Sequence, residues 1–277
     1  MAKKKILLLS DDLRMSSGVG TMSREFVLGT LKHYDWVQVG GAIKHPDEGK
    51  IIDMNESVRK DTGIKDAYLK IYPVSGYGSP DVIRQVTQME NGIDAILHYT
   101  DPRFWGWLYQ MEHELRRTTP IFYYNIWDDL PYPRWNEPFY ESCDLIMNIS
   151  KQTVNIVDNV CQIKPRTDWD NTYIPHGINE NNFYPIDSAH KEWGDLLKFK
   201  RSVTNGKDYK YIVFWNNRNI RRKLPGDVIM AYKQFCDQLP KEEAEKCALI
   251  MHTQPRDENG TDLPEVVKQV CPDYDVI

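Results

Sequence analysis

Three stretches of this 277-residue chain combine residue types and spacings that could do chemistry. The first is Ser16-Ser17-Gly18-Val19-Gly20-Thr21, which follows a short apolar run and precedes a helical pattern. Glycine permits close backbone approach, and a helix start presents free N–H groups at the positive end of the macrodipole. That suits a phosphate or a sugar hydroxyl, and it is equally what a tight strand-to-helix turn needs. Arg24 and Glu25 stand where the G-x-G-x-x-G dinucleotide fingerprint would be completed, so that fingerprint is absent. The second stretch is Tyr173-Ile174-Pro175-His176-Gly177-Ile178-Asn179 with Asn182-Phe183-Tyr184-Pro185, which taken alone is a loop leaving a strand. The third runs from Phe214 to Lys223, where Arg218, Arg221, Arg222 and Lys223 crowd the exit of a strand. Ligands of open α/β sheets bind beyond the carboxyl ends of strands, and Arg plus Lys there suits a diphosphate. A solvated basic loop has the same composition.

The elements that must position these stretches alternate. Short apolar runs predict buried parallel strands over 6–10, 36–43, 69–74, 95–99, 121–127, 145–149 and 172–174. Helical patterns lie between them, over 20–34, from the Ser79-Pro80 cap to Gly92, over 104–117, and from Ser150 to about 161. The alternation predicts an α/β domain, 1–185, with a Rossmann-like, doubly wound, mostly parallel sheet. A second series fills 186–277: a charged helix over 190–201, a turn at Asn205-Gly206, strands over 211–215 and 248–252, helices over 226–239 and 263–271, and the start of a third strand at 274–277.

Composition narrows the classes. Hydrophobic residues are 41% and charged residues 27% of the chain, the balance of a folded globular protein. The apolar run over 6–9 is too short for a secretory signal, and no run approaches the roughly 20 residues of a membrane span. Five scattered cysteines without a CxxC pair predict neither a zinc site nor a disulfide framework, and fit reduced thiols in a cytoplasm. A net charge of −5 gives no global attraction to nucleic acid or anionic lipid.

The order of the three stretches resembles glycosyltransferase family 4, of the GT-B fold, over residues 5–239. The resemblance is carried by the glycine turn after the first strand, by 174–185, and by Arg218 with Lys223. It implies two Rossmann-like domains facing a cleft, and a donor that is a nucleoside-diphosphate sugar. By matched position Gly18 and Gly20 would approach the donor phosphate, and Arg218 and Lys223 would neutralise the departing diphosphate. Cations in that role make a metal unnecessary, so no cofactor is expected. The resemblance also implies transfer of a hexose to a hydroxyl acceptor with retention. Family histidines follow the fourth and fifth strands; here His98 matches the first, Thr100 stands at its partner position, and Asn125-Ile126-Trp127-Asp128-Asp129-Leu130-Pro131 holds none. His98 is then either a catalytic group or a core-edge histidine. Asp128 or Asp129 either orients an acceptor hydroxyl or caps a turn, and Trp127 offers a ring for stacking. The family's late glutamate pair has no counterpart after Leu263, so the chain reads as an acceptor-side domain plus about half of a donor-side domain, a truncated chain with weak or absent turnover.

Three other readings stay open. The acceptor could be a hydroxylated base in DNA, met by Trp105, Trp107, Trp127, Trp135 and Arg134, although the negative charge counts against it. The chain could be a non-catalytic assembly module that self-associates through an unfinished sheet. A dinucleotide-dependent epimerase or dehydrogenase is disfavoured by the missing fingerprint.

Overall fold

The computed structural model of the chain describes residues 2–42, 44–162, 165–167 and 169–277. It divides into two compact units, Met1–Phe183 and Tyr184–Ile277. Unit 1 is built on strands β1 (Lys4–Asp11), β2 (Tyr34–Ala42), β3 (Ile52–Asp53), β4 (Leu69–Ser75), β5 (Ala95–Tyr99), β6 (Ile121–Asn125), β7 (Leu145–Asn148) and β8 (Asn171–Tyr173). They form one sheet in the order β3-β4-β2-β1-β5-β6-β7-β8, parallel throughout except at the edge pair β3–β4.

The alternation of side chains along β1 shows why both faces must be covered. Leu7 and Leu9 enter one apolar cluster with Ile83, Leu108, Ile121 and Ile156, whereas Ile6 and Leu8 enter another with Val27, Leu31 and Val58. Helices Pro80–Met89, Gly106–Gln110 and Lys151–Val160 cover the first face, and Gly18–Thr30 and Asn55–Thr62 the second. The chain leaves β1 toward β2 in one direction and crosses from β4 to β5 and onward in the other. Right-handed crossovers in opposite directions put their helices on opposite faces. This is the doubly wound sheet that the sequence predicts.

Local chemistry sets the element ends. Ser150 caps Lys151–Val160, its hydroxyl accepting the Thr153 N–H at 3.0 Å. Pro80 opens its helix, and Asn91 and Gly92 at positive φ close the following turn. The helix expected over 104–117 is broken into a 3₁₀ turn Pro102–Trp105 and two short helices, Gly106–Gln110 and Glu112–Leu115, because Met111 leaves helical dihedrals at φ −103° and ψ 14°. β6 stops at Asn125, short of the expected end at 127, because Asn125 Oδ1 accepts the Trp127 N–H at 3.1 Å and turns the chain. Position 43, the expected end of the second strand, lies outside the described residues.

In unit 2, β9 (Tyr211–Asn216) and β10 (Cys247–His252) pair in parallel. The end of the chain pairs on the other edge of β10 through a parallel Leu249–Val276 bridge, with the Met251 N–H donating to the Ile277 carbonyl at 2.7 Å. Helices Pro225–Asp237 and Leu263–Val270 cover one face, where Ile229, Tyr232, Cys236 and Leu263 join Cys247 and Leu249 of β10 in one apolar cluster. The order strand–helix–strand–helix–strand is Rossmann-like. All five cysteines are buried and unpaired. Among the described residues no helix is long and apolar enough to cross a membrane.

Candidate functional site

The turn after β1 separates its two glycines by function. Gly20 is buried, and a Cβ there would lie 2.7 Å from the Met15 carbonyl oxygen and 3.0 Å from that of Asp12. The turn itself therefore requires glycine at 20. Gly18 is exposed, and a Cβ there would meet nothing within 4 Å. Ser17 is the N-cap of helix Gly18–Thr30, its Oγ accepting the Gly20 N–H at 2.9 Å while its carbonyl accepts the Thr21 N–H at 2.8 Å. The N–H groups of Gly18 and Val19 precede the first intrahelical bond and have no hydrogen-bond partner among the described residues. Gly18 thus leaves the start of the helix open to an anion or a hydroxyl.

Two consecutive carboxylates at the end of β1 meet opposite environments. Asp12 is buried and receives Arg14 in a fork (Nε 3.0 Å, NH2 2.7 Å), the Arg14 N–H at 2.8 Å and His45 Nε2 at 3.0 Å. Burial alone would raise its carboxyl, but these donors and the guanidinium charge hold it below its ordinary value. Arg14 also binds Asp47, so this cation is fully engaged. Asp11 is half-buried on the face of β1 that carries Leu7 and Leu9, with one side-chain hydrogen bond, from Ser17 Oγ at 3.3 Å. Burial pushes its carboxyl above the ordinary value, against that bond.

Asp11 lies at the topological switch, where β1 has β2 on one side and β5 on the other. Its register partner on β2 is Gly41, where a Cβ would lie 3.0 Å from the Tyr77 ring. Tyr77 stacks on Phe104 with centroids 4.9 Å apart and planes 6° from parallel, and Phe104 is 54% exposed. Burial, then the charges of Asp11 and Asp101, raise the Tyr77 phenol. Beside them Arg103 forks onto Asp101 (Nε–Oδ1 3.0 Å) and sits 5.1 Å over the Trp127 ring.

The residues singled out by sequence fall in several places. Trp127, Asp128 and Asp129 form a loop at the carboxyl end of β6, and Trp127 meets the exposed Trp135 edge-on at 6.2 Å. A buried amide ladder holds that loop: Asn171 Oδ1 accepts from Asn148 Nδ2 at 2.7 Å, Asn148 Oδ1 accepts from Asn125 Nδ2 at 3.1 Å, and Asn125 Oδ1 takes the Trp127 N–H. Asp129 Oδ1 caps the Leu130 N–H at 3.0 Å, its turn role. The Asp128 carboxylate is exposed and has no hydrogen-bond partner among the described residues, while its carbonyl accepts from Gln152. His98 is fully buried, stacked on Tyr123 at 5.0 Å and bonded through Nδ1 to the Tyr109 hydroxyl at 2.6 Å. Burial depresses its imidazole to about 3, so it is neutral and out of reach of any solute in this conformation. A catalytic His98 does not fit that geometry; the core-edge reading does. Trp105 is likewise buried, and Trp107 is half-buried with its Nε1 donating to the Tyr77 carbonyl. Neither can serve the aromatic face expected for a DNA acceptor. The second stretch is tied to unit 1 by Tyr99 Oη and His176 Nε2 at 3.3 Å and by Asn179 Nδ2 donating to Glu25 at 3.1 Å.

In unit 2 the basic stretch is a built loop. Buried Asn219 donates to the Thr261 carbonyl at 2.7 Å and to the Gln254 carbonyl at 3.2 Å, and accepts the Thr261 N–H at 3.2 Å, which pins 254–261 against it. Arg218 is exposed and pairs through Nε with Asp257 at 3.0 Å. The Asn259 N–H and then Arg218 hold the Asp257 carboxyl below its ordinary value. Arg221, Arg222 and Lys223 form one 3₁₀ turn and have no ion pair among the described residues. The other face of this sheet carries an apolar groove of about 620 Å³ between helix Trp193–Val203 and Phe214 and Ile250. Its lining is apolar apart from Lys200 and His252.

No protein-family model matches the sequence, and no curated protein matches it. Solved structures do resemble it. The trehalose-6-phosphate protein of E. coli bound with UDP-2-fluoro glucose aligns at 13% identity with a TM-score of 0.57, over 96% of this chain and 68% of that one. An alpha,alpha-trehalose-phosphate synthase (UDP-forming) from Burkholderia xenovorans, in complex with glucose-6-phosphate, aligns at 11% identity and 0.60, over 96% and 69%. A protein described as a UDP-N-acetylglucosamine 2-epimerase from Listeria monocytogenes aligns at 14% and 0.51, over 100% and 69%. At these identities the likeness defines the fold, which is GT-B.

Proposed function

We propose that the chain is a glycosyltransferase that moves a sugar from a nucleoside-diphosphate sugar to a hydroxyl acceptor. The observation that carries this reading is the run Arg218–Lys223 at the carboxyl end of β9, with three cations free of ion pairs among the described residues, in a chain of GT-B fold. In the reaction the bond from the anomeric carbon to the diphosphate oxygen breaks, and the electron pair leaves with the diphosphate. A bond forms from the anomeric carbon to the acceptor oxygen, whose proton passes to the departing diphosphate. Lys223 and Arg218 would meet the charge that grows on the departing oxygen, and electrostatic stabilisation of that kind is worth several kcal/mol in a closed site. Arg218 already shares charge with Asp257, so Lys223 is assigned the larger part. The open N–H groups of Gly18 and Val19 would receive a donor phosphate oxygen. The transferred group is taken to be a hexose, with retention and without a metal, as the family resemblance implies.

Lys223→Ala and Arg218→Ala test the reading by calorimetry with UDP, GDP and ADP. The expected result is at least a tenfold loss of diphosphate affinity for Lys223→Ala, the order of one charge-assisted contact. Unchanged affinity in both variants would remove their assigned role. For a hydroxylated DNA base as acceptor, Trp127, Trp135 and Arg134 remain of the five residues first considered. Steeply salt-dependent binding of DNA would favour that acceptor, and its absence at low salt would dismiss it.

A further inference from the structure

We propose that the acceptor site of unit 1 is the surface at the β1–β5 switch, built from the Asp11 carboxylate and the stacked Tyr77–Phe104 rings, and that it takes an uncharged sugar ring rather than a phosphorylated or nucleic-acid acceptor. This deepens the transferase reading and rests on it for the word acceptor. Three observations carry it. The first is geometry: β1 alternation sends Asp11 to the same face as Leu7 and Leu9, where Tyr77 closes over Gly41, the residue paired with Asp11 across the sheet. A hydrogen-bonding carboxylate and an aromatic face therefore lie side by side.

The second is hydrogen-bond capacity. An ionised carboxylate accepts about four hydrogen bonds; the Asp11 side chain receives one, from Ser17. Its neighbour Asp12 receives five contacts and has nothing left to offer a ligand. A sugar presents vicinal hydroxyls that suit a carboxylate with open lone pairs, and a C–H face that suits an exposed ring. Phe104, stacked on Tyr77 and 54% exposed, supplies that ring in a fixed orientation.

The third is charge. A phosphorylated acceptor seated on the rings would call for a cation there, and the guanidinium groups of Arg14 and Arg103 are committed, Arg14 to Asp12 and Asp47, Arg103 to Asp101. Asp11 then leaves the charge beside the rings negative, which disfavours phosphate at the rings, whereas the donor phosphate is assigned to the Gly18 and Val19 N–H groups at the helix start. Asp11 thus sets specificity as well as position.

The test uses the full chain and ligand-observed saturation-transfer NMR at low salt. Its probes are the methyl glycosides of glucose, galactose, mannose and N-acetylglucosamine, with glucose 6-phosphate and mannose 6-phosphate as charged counterparts. The expected result is binding of at least one uncharged probe in preference to both phosphates. Asp11→Asn, nearly isosteric, should weaken that binding about tenfold, the worth of one charged hydrogen bond. It should also narrow the discrimination against the phosphates, which a purely structural role would not do. Phe104→Ala, at an exposed position, should remove saturation of the sugar C–H protons while thermal unfolding stays near the wild type. Tighter binding of the phosphates, no binding of any uncharged probe, or an Asp11→Asn variant with unchanged affinities would each overturn the inference. UDP, GDP and ADP titrated into the same samples separate the two levels. Diphosphate binding without sugar binding would overturn the acceptor assignment and leave the transferase reading standing, whereas sugar binding without diphosphate binding would overturn the transferase reading and leave Asp11 and the rings as a sugar-binding site.

Discussion

Replacing Gly20 by alanine and, separately, Gly18 by alanine should give opposite results although the two residues share one turn. At Gly20 the new methyl group would sit 2.7 Å from the Met15 carbonyl oxygen and 3.0 Å from that of Asp12. Both are backbone atoms held by the turn's own Met15 N–H to Asp12 carbonyl bond at 2.9 Å, so neither can swing aside. Forcing a methyl group into such a space costs about 1–3 kcal/mol. Alanine's better helix propensity returns up to about 1 kcal/mol, which leaves a net loss of about 0–3 kcal/mol. At Gly18 the methyl group meets nothing, so only the propensity gain remains, somewhere between zero and about 1 kcal/mol. Urea unfolding followed by tryptophan fluorescence reads the difference, since Trp36, Trp105, Trp107, Trp127, Trp135 and Trp169 all lie in unit 1. Nucleoside diphosphate titration supplies the second readout. Gly18→Ala should weaken binding without loss of stability if its backbone approaches a phosphate. Equal unfolding midpoints for the two variants would refute the steric argument.

Other expectations follow from the same structure. Asn148→Leu removes three hydrogen bonds, two buried ones to Asn125 and Asn171 and a part-buried one to the Thr172 carbonyl. At about 0.5–1.5 kcal/mol each the loss is ~1.5–4.5 kcal/mol, read from the urea midpoint; a shift under 0.5 kcal/mol, of the size of an ordinary surface substitution, would show the ladder to be inert. Burial lowers the folded-state pKa of His98 from 6.5 to about 3. Above pH 6.5 both folded and unfolded states hold it neutral. Below that value the unfolded chain takes up a proton the folded chain refuses, so stability falls with pH by about 1.4 kcal/mol per unit until the folded value is reached. His98→Phe should make the stability-versus-pH slope between pH 6 and 4, a window set by those two values, shallower by close to one proton. Equal slopes in wild type and variant would contradict the burial argument.

Much of the fold was legible because parallel strands announce themselves as apolar runs. Residues 95–99 were read with the boundaries found for β5, and 6–10 fell within β1. Helix Asn55–Thr62 escaped because Val58 is its one buried residue, too little periodicity to see. The interrupted path from Pro102 to Leu115 escaped because its break comes from the dihedrals of Met111, which residue type does not encode. The candidate site was legible only in part. Glycines, clustered cations and Trp127 can be picked out by residue type, but burial decides what they can do. His98 and Trp105 lie in the core, and Gly20 is spent on closing its turn. Asp11 gave no motif at all. What singles it out is a contrast with Asp12 that depends on strand pleating: one carboxylate turns toward Arg14 and His45, and the other toward an open aromatic surface. A rule that examines the last inward-facing residue of β1 in a switch-point sheet would have found it.

The central claim is tested most directly by titrating UDP, GDP and ADP, and the corresponding glucose donors, into the purified chain by calorimetry while assaying released diphosphate. The account predicts that one of the three diphosphates binds in preference to the others, that Lys223→Ala weakens that binding at least tenfold, and that its sugar conjugate is slowly consumed. No heat from any of the six, with the chain folded, would contradict it.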